Sequence, residues 1–253
     1  MSPTWDPASY LDFPDHRARP FHELIARVGA TRPRRVVDLG CGPGQLTRVL
    51  AQRWPAADIS ALDSSAEMVA AARERGIDAR QADVVRWTPD PDADVVVCNA
   101  VLQWVPEHAE LLPRWLAAMP RQAWFALQVP GNFGAPSHAL VRDLLGAQRW
   151  RGRIELRGVD AVLEPSAYAE LLAASGAEVD VWETTYVQRL TGADPVLRWV
   201  GSTALRPVRD GLGPDYAAFR AELAPRLRAA YPARPDGSTW FPFRRIFAVA
   251  RTA

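Results

Sequence analysis

The sequence predicts an α/β fold with a largely parallel sheet, and three observations support this. Short segments rich in β-branched residues alternate with amphipathic segments through the first half of the chain. The first of these short segments ends in a cluster of glycines. Two β-rich segments near the C-terminus are separated by a helical insertion of about fifty residues, a length that usually has a function. Strands that alternate with helices form βαβ units, whose strands run parallel.

Five strands are predicted in the first half of the chain, at residues 35–39, 57–63, 77–83, 92–100 and 123–129. The first reads RVVDL and the fourth is nearly all apolar, which is typical of strands buried on both faces of a parallel sheet. Helices are predicted from Gln45 to Arg53, from the N-cap Ser65 to Arg75, and after Pro106. Gly76 ends the second of them.

The second half of the chain is less regular. Helices are predicted after Pro136 and over 166–175, 194–208 and 215–232. The alternating segments 177–190 and 240–251 are predicted to form a hairpin that closes the sheet.

Composition excludes several classes of protein. The 253 residues suit one domain, 1–253, and 30 basic and 29 acidic residues leave a net charge of +1, which gives no bulk attraction to nucleic acid. The two cysteines, Cys41 and Cys98, lie in predicted core segments and indicate reduced thiols, with no disulfide scaffold and no metal site. No signal peptide and no membrane-spanning run is recognised, so we expect a cytoplasmic protein. As a separate expectation, the protein is a monomer.

A glycine-rich loop, Asp38-Leu39-Gly40-Cys41-Gly42-Pro43-Gly44-Gln45, joins the first strand to the first helix. Open α/β sheets bind nucleotides at this place, where glycines let the backbone approach the ligand. Gln45 occupies the position where the dinucleotide fingerprint has its third glycine, and the chain has no lysine for a P-loop. Asp38 is a poor neighbour for a pyrophosphate but suits an ammonium group, such as that of S-adenosylmethionine (SAM).

The next three strands also end in polar residues. Asp63 is placed to accept hydrogen bonds from both ribose hydroxyls, and Asp83 from an adenine amino group. Each has a structural alternative, since Asp63 can cap the next helix and Asp83 can form a turn. Met68 is expected either to cover an adenine face or to pack in the core. Asn99 and Trp104, at the end of the fourth strand, would flank the methionyl part of the cofactor.

Over roughly residues 20–130 these motifs resemble the class I SAM-dependent methyltransferase family. The resemblance rests on the DLGCGPG loop, the acid after strand two, Ala-Asp after strand three and the segment NAVLQWV. It implies SAM as cofactor and a Rossmann-like sheet of order 3-2-1-4-5-7-6 with strand seven antiparallel. The hairpin predicted above matches the last two strands, and a helical lid would come from the insertions.

The N-terminal arm, the insertions and the C-terminal tail resemble those of family members that esterify one carboxylate of a small tricarboxylate. At this level the resemblance covers nearly the whole chain. The acceptor pocket would then lie in segments 1–19, 130–150 and 190–235. Planar arginine side chains bind carboxylates in a bidentate manner, although most arginines are solvated surface residues. The candidate acceptor-binding residues are Tyr10, Arg19, His138, Tyr186, Trp199, Arg206, Arg244 and Arg245. No general base is expected, because a carboxylate is already ionised at neutral pH.

Three alternatives stay open at this stage. The chain can methylate another small carboxylate or metabolite, or it can be a SAM-binding regulatory protein without turnover. A nucleic-acid methyltransferase is disfavoured by the near-zero net charge and by the sequence NAVLQW, which stands where such enzymes carry an Asn/Asp-Pro-Pro-Tyr/Phe-like segment.

Overall fold

The seven strands found in the described part of the chain form one sheet. The structure is a computed structural model that describes residues 14–154, 156, 158–202 and 204–253, so Tyr10 and residues 1–13 of the predicted lid lie outside the described residues. The strands are β1 (Arg35–Leu39), β2 (Asp58–Asp63), β3 (Asp78–Gln81), β4 (Ala93–Asn99), β5 (Trp124–Pro130), β6 (Glu178–Leu190) and β7 (Thr239–Arg251). Their order, β3-β2-β1-β4-β5-β7-β6, confirms the predicted topology.

Strand direction also agrees with the prediction. The pairs β1–β2, β1–β4, β2–β3 and β4–β5 are parallel, whereas β5 and β7 are antiparallel. The register places Leu39 beside Leu62 and Cys98, and Asn99 beside Gln128. The residues that follow these strands therefore meet at one edge of the sheet.

The helices of the described residues are α1 (Pro14–Ala26), α2 (Thr47–Arg53), α3 (Ala66–Glu74), α4 (His108–Ala118), α5 (Pro136–Gly146), α6 (Pro165–Ala173), α7 (Pro195–Gly201), α8 (Arg206–Leu212) and α9 (Tyr216–Ala230). Ser65 is the N-cap of α3, since its hydroxyl accepts from the Met68 N–H at 3.2 Å, as predicted. Within this range no helix is long and apolar enough to cross a membrane.

Residues 14–19 of the predicted lid belong to α1, a helix that the sequence analysis does not anticipate. Phe21, Leu24 and Ile25 of α1 are buried, and the helix packs against β5. Their spacing places them on one face of the helix, which explains why the start of the chain contributes to the core.

The chain divides into two compact units. The sheet unit consists of the residues up to Pro130 together with 162–183 and 245–253. Val36, Val95, Val96 and Val97 are almost fully excluded from solvent at its centre. In the same unit α4 packs against α6, where the buried Tyr168 hydroxyl lies 3.1 Å from Nε2 of His108.

The insertion unit consists of residues 131–161 and 184–244 and includes nearly all of the predicted lid segments 130–150 and 190–235. Helix α9 packs against α5 and α7. Trp150 and Phe219 meet edge to face at 5.4 Å in its core. This unit therefore has an apolar core of its own.

The single helix predicted over 194–208 is wrong, because the structure has two helices, α7 and α8, in this segment. The Ser202 hydroxyl donates to the carbonyl of Trp199 at 2.7 Å, just beyond the end of α7. Pro207 has no N–H to continue a preceding helix and instead occupies the first turn of α8.

Candidate functional site

A cavity of about 400 Å³ lies within the sheet unit at the carboxyl ends of β1 to β4. Its volume falls in the range of about 300–1,000 Å³ that is common for small-molecule sites. The lining residues are Gly40, Gly42, Leu62, Asp63, Ser64, Met68, Ala82, Asp83, Val84, Val85, Asn99, Ala100, Val101, Trp104, Val105, Pro106 and Glu107. Three of them are acidic and none is basic, so the cavity favours a cationic or neutral ligand over a phosphate.

The glycine loop forms one wall of this cavity. Gly40 and Gly42 adopt φ values of +72° and +53°, in a region that side-chain-bearing residues rarely enter. A Cβ at Gly40 would overlap the side chain of Val101, whereas a Cβ at Gly42 would meet no protein atom within 4 Å. A side chain at Gly42 would therefore take up space beside the cavity, and glycine keeps that space open for a ligand.

Asp63 ties this loop to the end of β2. One carboxylate oxygen accepts the Gly42 N–H at 2.9 Å, and the other accepts the Ser65 N–H at 2.9 Å. Burial raises the pKa of the Asp63 carboxyl. Because two carboxylate oxygens offer about four acceptor positions, these bonds leave capacity for ligand hydroxyls.

Asp38 lies beneath the loop and is only 3% exposed. The Thr47 hydroxyl donates to its carboxylate at 2.6 Å. Burial, together with the nearby charge of Asp63, raises the pKa of Asp38 to about 6. The pKa of the neighbouring Cys41 thiol is raised by burial as well, so Cys41 stays protonated and inert near neutral pH.

The structure brings together most of the residues predicted to bind a cofactor. Those that line the cavity are Gly40, Gly42, Asp63, Met68, Asp83, Asn99 and Trp104. Asp38, Gly44 and Gln45 are not among the lining residues. A Cβ at Gly44 would lie 3.1 Å from Ala72, so this glycine serves the packing of the loop against α3.

Asp83 and Met68 line the cavity and also have the structural roles that the sequence left open for them. Asp83 accepts the Val85 N–H at 3.0 Å and thereby caps a short 3₁₀ helix, Val84–Arg86. Met68 is 2% exposed and contributes to the core as well as to the cavity wall. The binding roles predicted for both side chains stay predictions.

Sequence reasoning missed several lining residues, among them Ser64, Val85, Val101, Pro106 and Glu107. Ser64, Val85 and Val101 lie within two residues of predicted strand ends, which was a usable signal, whereas Pro106 and Glu107 lie further along the chain. Asn99 also shows a feature visible only in three dimensions, since its Oδ1 is buried and has no hydrogen-bond partner among the described residues. An unsatisfied acceptor in a cavity wall is suited to a ligand N–H or O–H.

Two of the predicted acceptor-binding arginines lie in the sheet unit. Arg19 is on the exposed side of α1, and its Nε bonds Glu23 at 2.9 Å. Arg245 is 6% exposed, and its Nη1 donates to Oε1 of the fully buried Gln128 at 3.0 Å. Burial makes Arg245 the stronger candidate of the two, since a charge on a solvated surface contributes little.

The other described candidates lie in the insertion unit. Tyr186 and Trp199 are buried, and the Trp199 ring packs against Phe243 at 5.4 Å, which is a core role. Arg206 is 5% exposed at the start of α8, and Arg244 donates from Nη1 to the carbonyl of Gly131 at 3.3 Å. Acceptor binding by these residues stays a prediction.

His138, also in the insertion unit, lies beside the start of α5. Its Nδ1 is 3.1 Å from the Ser137 hydroxyl, and its ring meets that of Phe133 at 5.5 Å. Burial, helped by the charge of Arg142, lowers the pKa of His138 to about 4. A histidine with this pKa is neutral at physiological pH.

Comparisons with known proteins agree with the fold. A methyltransferase domain family model matches residues 13–180. Trans-aconitate 2-methyltransferase of Rhodococcus jostii (strain RHA1) is 62% identical over 251 residues, which are 98% of this chain and 99% of that enzyme. The enzyme of the same name from Mycolicibacterium gilvum (strain PYR-GCK) is 59% identical over 98% of each chain. The crystal structure of YcgJ from Bacillus subtilis superposes with a TM-score of 0.61 at 14% identity and covers 94% of this chain and 98% of that one.

Proposed function

This chain belongs to the methyltransferase domain family, and we propose that it transfers the methyl group of SAM to one carboxylate of trans-aconitate, giving a monomethyl ester. The observation that carries the proposal is the 62% identity to an enzyme of that name over 98% of this chain. That range includes the sheet unit and the insertion unit alike, so the similarity is not confined to the common methyltransferase core.

The cavity of the sheet unit fits SAM. Its acidic lining suits a ligand with sulfonium and ammonium charges, and Asp63 is positioned for ribose hydroxyls. Bound there, SAM would supply a methyl group that its sulfonium already activates for transfer. Trp104, Val101 and Val105 give this site an apolar wall, which limits the access of water to the ligand.

No side chain is required as a general base, because the carboxylates of trans-aconitate are ionised at neutral pH. The low pKa of His138 is consistent with this, since a general base for neutral pH has a pKa near 7. The task of the protein is then to hold the attacking oxygen in line with the methyl group. Arginines would bind the other two carboxylates, and a buried arginine such as Arg206 or Arg245 is a candidate.

The carboxylate that is methylated should be the least paired of the three. An arginine that donates to a carboxylate withdraws electron density from its oxygens and so weakens the nucleophile. Two bound carboxylates and one unbound carboxylate therefore give both orientation and reactivity.

The proposal also includes a cytoplasmic location and a monomeric state. Cys41 and Cys98 are buried free thiols, which suits a reducing compartment. Size-exclusion chromatography with light scattering would measure the oligomeric state directly.

The test is a methyl-transfer assay with radiolabelled SAM and a panel of di- and tricarboxylates, with products identified by mass spectrometry. We expect trans-aconitate to give the highest kcat/KM, at least about tenfold above that of the dicarboxylates, because its third carboxylate adds a charge-assisted contact worth about 1.5–3 kcal/mol. Ionisation of the acceptor should not change the rate between about pH 6 and 8, because its carboxylates titrate below that range. Preference for another acid would assign a different acceptor, and tight SAM binding without turnover of any acid would favour a regulatory protein.

A further inference from the structure

A buried polar pair, Gln128 on β5 and Arg245 on β7, interrupts the apolar centre of the sheet unit. Gln128 is fully buried and Arg245 is 6% exposed, and Arg245 Nη1 donates to Gln128 Oε1 at 3.0 Å. The neighbouring residues Leu127 and Ala248 are fully buried and apolar. Burying an amide and a guanidinium among such residues carries a desolvation penalty, which lowers stability relative to an apolar pair at the same positions.

Strand register connects this pair to the cavity. Gln128 lies opposite Asn99 of β4 and opposite Phe247 of β7, and Arg245 lies two residues away from Phe247 on β7, opposite Pro130. Paired positions point to the same face of a sheet, and neighbouring strands are about 4.8 Å apart. Since Asn99 lines the cavity, Gln128 and Arg245 lie on the same face, one and two strands away from the cavity wall.

Two unsatisfied atoms lie along this row. Asn99 Oδ1 and Gln128 Nε2 are both buried and have no hydrogen-bond partner among the described residues. Buried polar atoms in folded proteins are nearly always satisfied, and those left over mark places where a bound molecule or water completes the bonding. The row Asn99–Gln128–Arg245 thus extends buried polar groups from the cavity wall into the sheet, and Asn99 and Gln128 each contribute an unsatisfied atom to it.

The chemistry of the pair suits an anionic acceptor. The cavity lining contains Asp63, Asp83 and Glu107 and no basic side chain, so the cavity itself does not attract a polycarboxylate. Gln128 contacts the positively charged Arg245 guanidinium through a neutral amide oxygen, which adds no negative charge beside it. A glutamate at the same position would make the same hydrogen bond but would cancel that charge.

We propose that Gln128 is a positioning residue for acceptor binding: it holds Arg245 so that the guanidinium binds one carboxylate of the acceptor beside the methyl-transfer cavity. This inference rests on the proposed function, because it requires a polycarboxylate acceptor. It assigns to the sheet itself, and not only to the insertion unit, a part of the acceptor specificity. Gln128 acts through Arg245 and does not contact the reacting atoms.

The decisive variant is Gln128→Glu. If Gln128 only satisfies a buried arginine, glutamate should serve as well or better, and acceptor binding should not change. If it positions a cationic Arg245, the new carboxylate competes with that of the acceptor. We then expect the KM for trans-aconitate, and its Kd measured by calorimetry on protein saturated with S-adenosylhomocysteine, to rise about 10- to 100-fold, which corresponds to about 1.4–2.8 kcal/mol. SAM affinity should stay within about twofold, since the change is not in the cavity wall.

Two further variants make the result interpretable. Gln52→Glu introduces the same charge change on the exposed side of α2 and should leave both affinities as in the wild type. Gln128→Met removes the hydrogen bond without adding charge, and it should raise the KM for trans-aconitate by a smaller factor than Gln128→Glu. If Gln128→Glu does not fold, Gln128→Met carries the test alone, with an unchanged KM counting against the proposal.

Failure of this inference differs from failure of the proposed function. Folded Gln128→Glu protein with unchanged Kd and KM for trans-aconitate overturns the inference, as does an equal loss of SAM and acceptor affinity. Wild-type protein that binds trans-aconitate but forms no ester overturns the proposed function, while the Kd comparison still decides the role of Gln128. Wild-type protein that does not bind trans-aconitate overturns both.

Discussion

Replacement of Asp63 by alanine tests the assignment of the cavity to SAM most directly. The carboxylate occupies the end of β2, lines the cavity and accepts N–H groups from Gly42 and Ser65, both at 2.9 Å. Loss of an acceptor for the ribose hydroxyls leaves them unpaired in the complex, at about 1–3 kcal/mol. We therefore expect the Kd for SAM to rise about 5- to 150-fold.

The same substitution also removes the acceptor of two loop hydrogen bonds, so stability must be measured separately. At about 1.5–3 kcal/mol for each bond to a charged group, the free energy of unfolding should fall by about 3–6 kcal/mol. Isothermal calorimetry gives the Kd for SAM, and urea unfolding gives the stability. Asp58→Ala, at the exposed start of the same strand, is the matched control and should bind SAM normally. Wild-type SAM affinity in folded Asp63→Ala protein would refute the placement.

Three further predictions follow from the same geometry. Gly42→Val should abolish SAM binding, because the valine side chain takes up space beside the cavity. Gly76 has a similar positive φ, and a Cβ there also meets no protein atom within 4 Å, so the control Gly76→Val should lower stability but keep SAM affinity. An equal loss of SAM affinity in both variants would contradict the prediction. Burial raises the pKa of Asp38 to about 6, so the Asp38 carboxyl of the SAM-free protein is mostly protonated at pH 5. Binding of a cationic ligand favours the ionised carboxylate and releases the proton. SAM affinity measured by calorimetry should therefore increase about tenfold from pH 5 to 7. From pH 5 to 7 the free energy of unfolding of the SAM-free protein should fall, because a carboxyl whose folded pKa is raised stabilises the fold only while it is protonated. Asp38→Asn should flatten the pH dependence of both SAM affinity and stability. Arg206→Leu should raise the KM for trans-aconitate at least about tenfold and leave SAM affinity unchanged, whereas Arg206→Lys should restore only part of the loss. An unchanged KM for Arg206→Leu in steady-state assays would show that Arg206 does not bind the acceptor.

Local sequence patterns were sufficient for the strands of the first half of the chain and for the glycines and strand-end polar residues of the cavity wall. The β-branched runs at 35–39 and 92–100, and the glycines that follow the first of them, define strands and a turn through interactions between near neighbours. Once the strands are parallel, their carboxyl ends meet at one edge, so Asp63, Asp83 and Asn99 could be predicted to converge.

Other features escaped local reasoning. The break between α7 and α8 within 194–208 depends on a Ser202 hydroxyl bond and on Pro207, which compete with a continuous apolar periodicity. Helix α1 was missed because its core contacts are made with β5, about a hundred residues away. Packing of the apolar face against a distant strand, and not helix propensity alone, stabilises such a helix.

The sequence by itself determined the strands, the glycine loop and the set of polar residues at the strand ends, because each depends on short-range patterning and on the fixed geometry of parallel βαβ units. The strand order was implied by the resemblance to the class I methyltransferase family and not by local patterns. Only the tertiary structure decided which of those residues face the cavity. It placed Asp38 beneath the loop with Thr47 and joined Gln128 to Arg245, 117 residues further along the chain. Such contacts depend on side-chain direction and on the register of strands distant in sequence, and no local pattern records either of them.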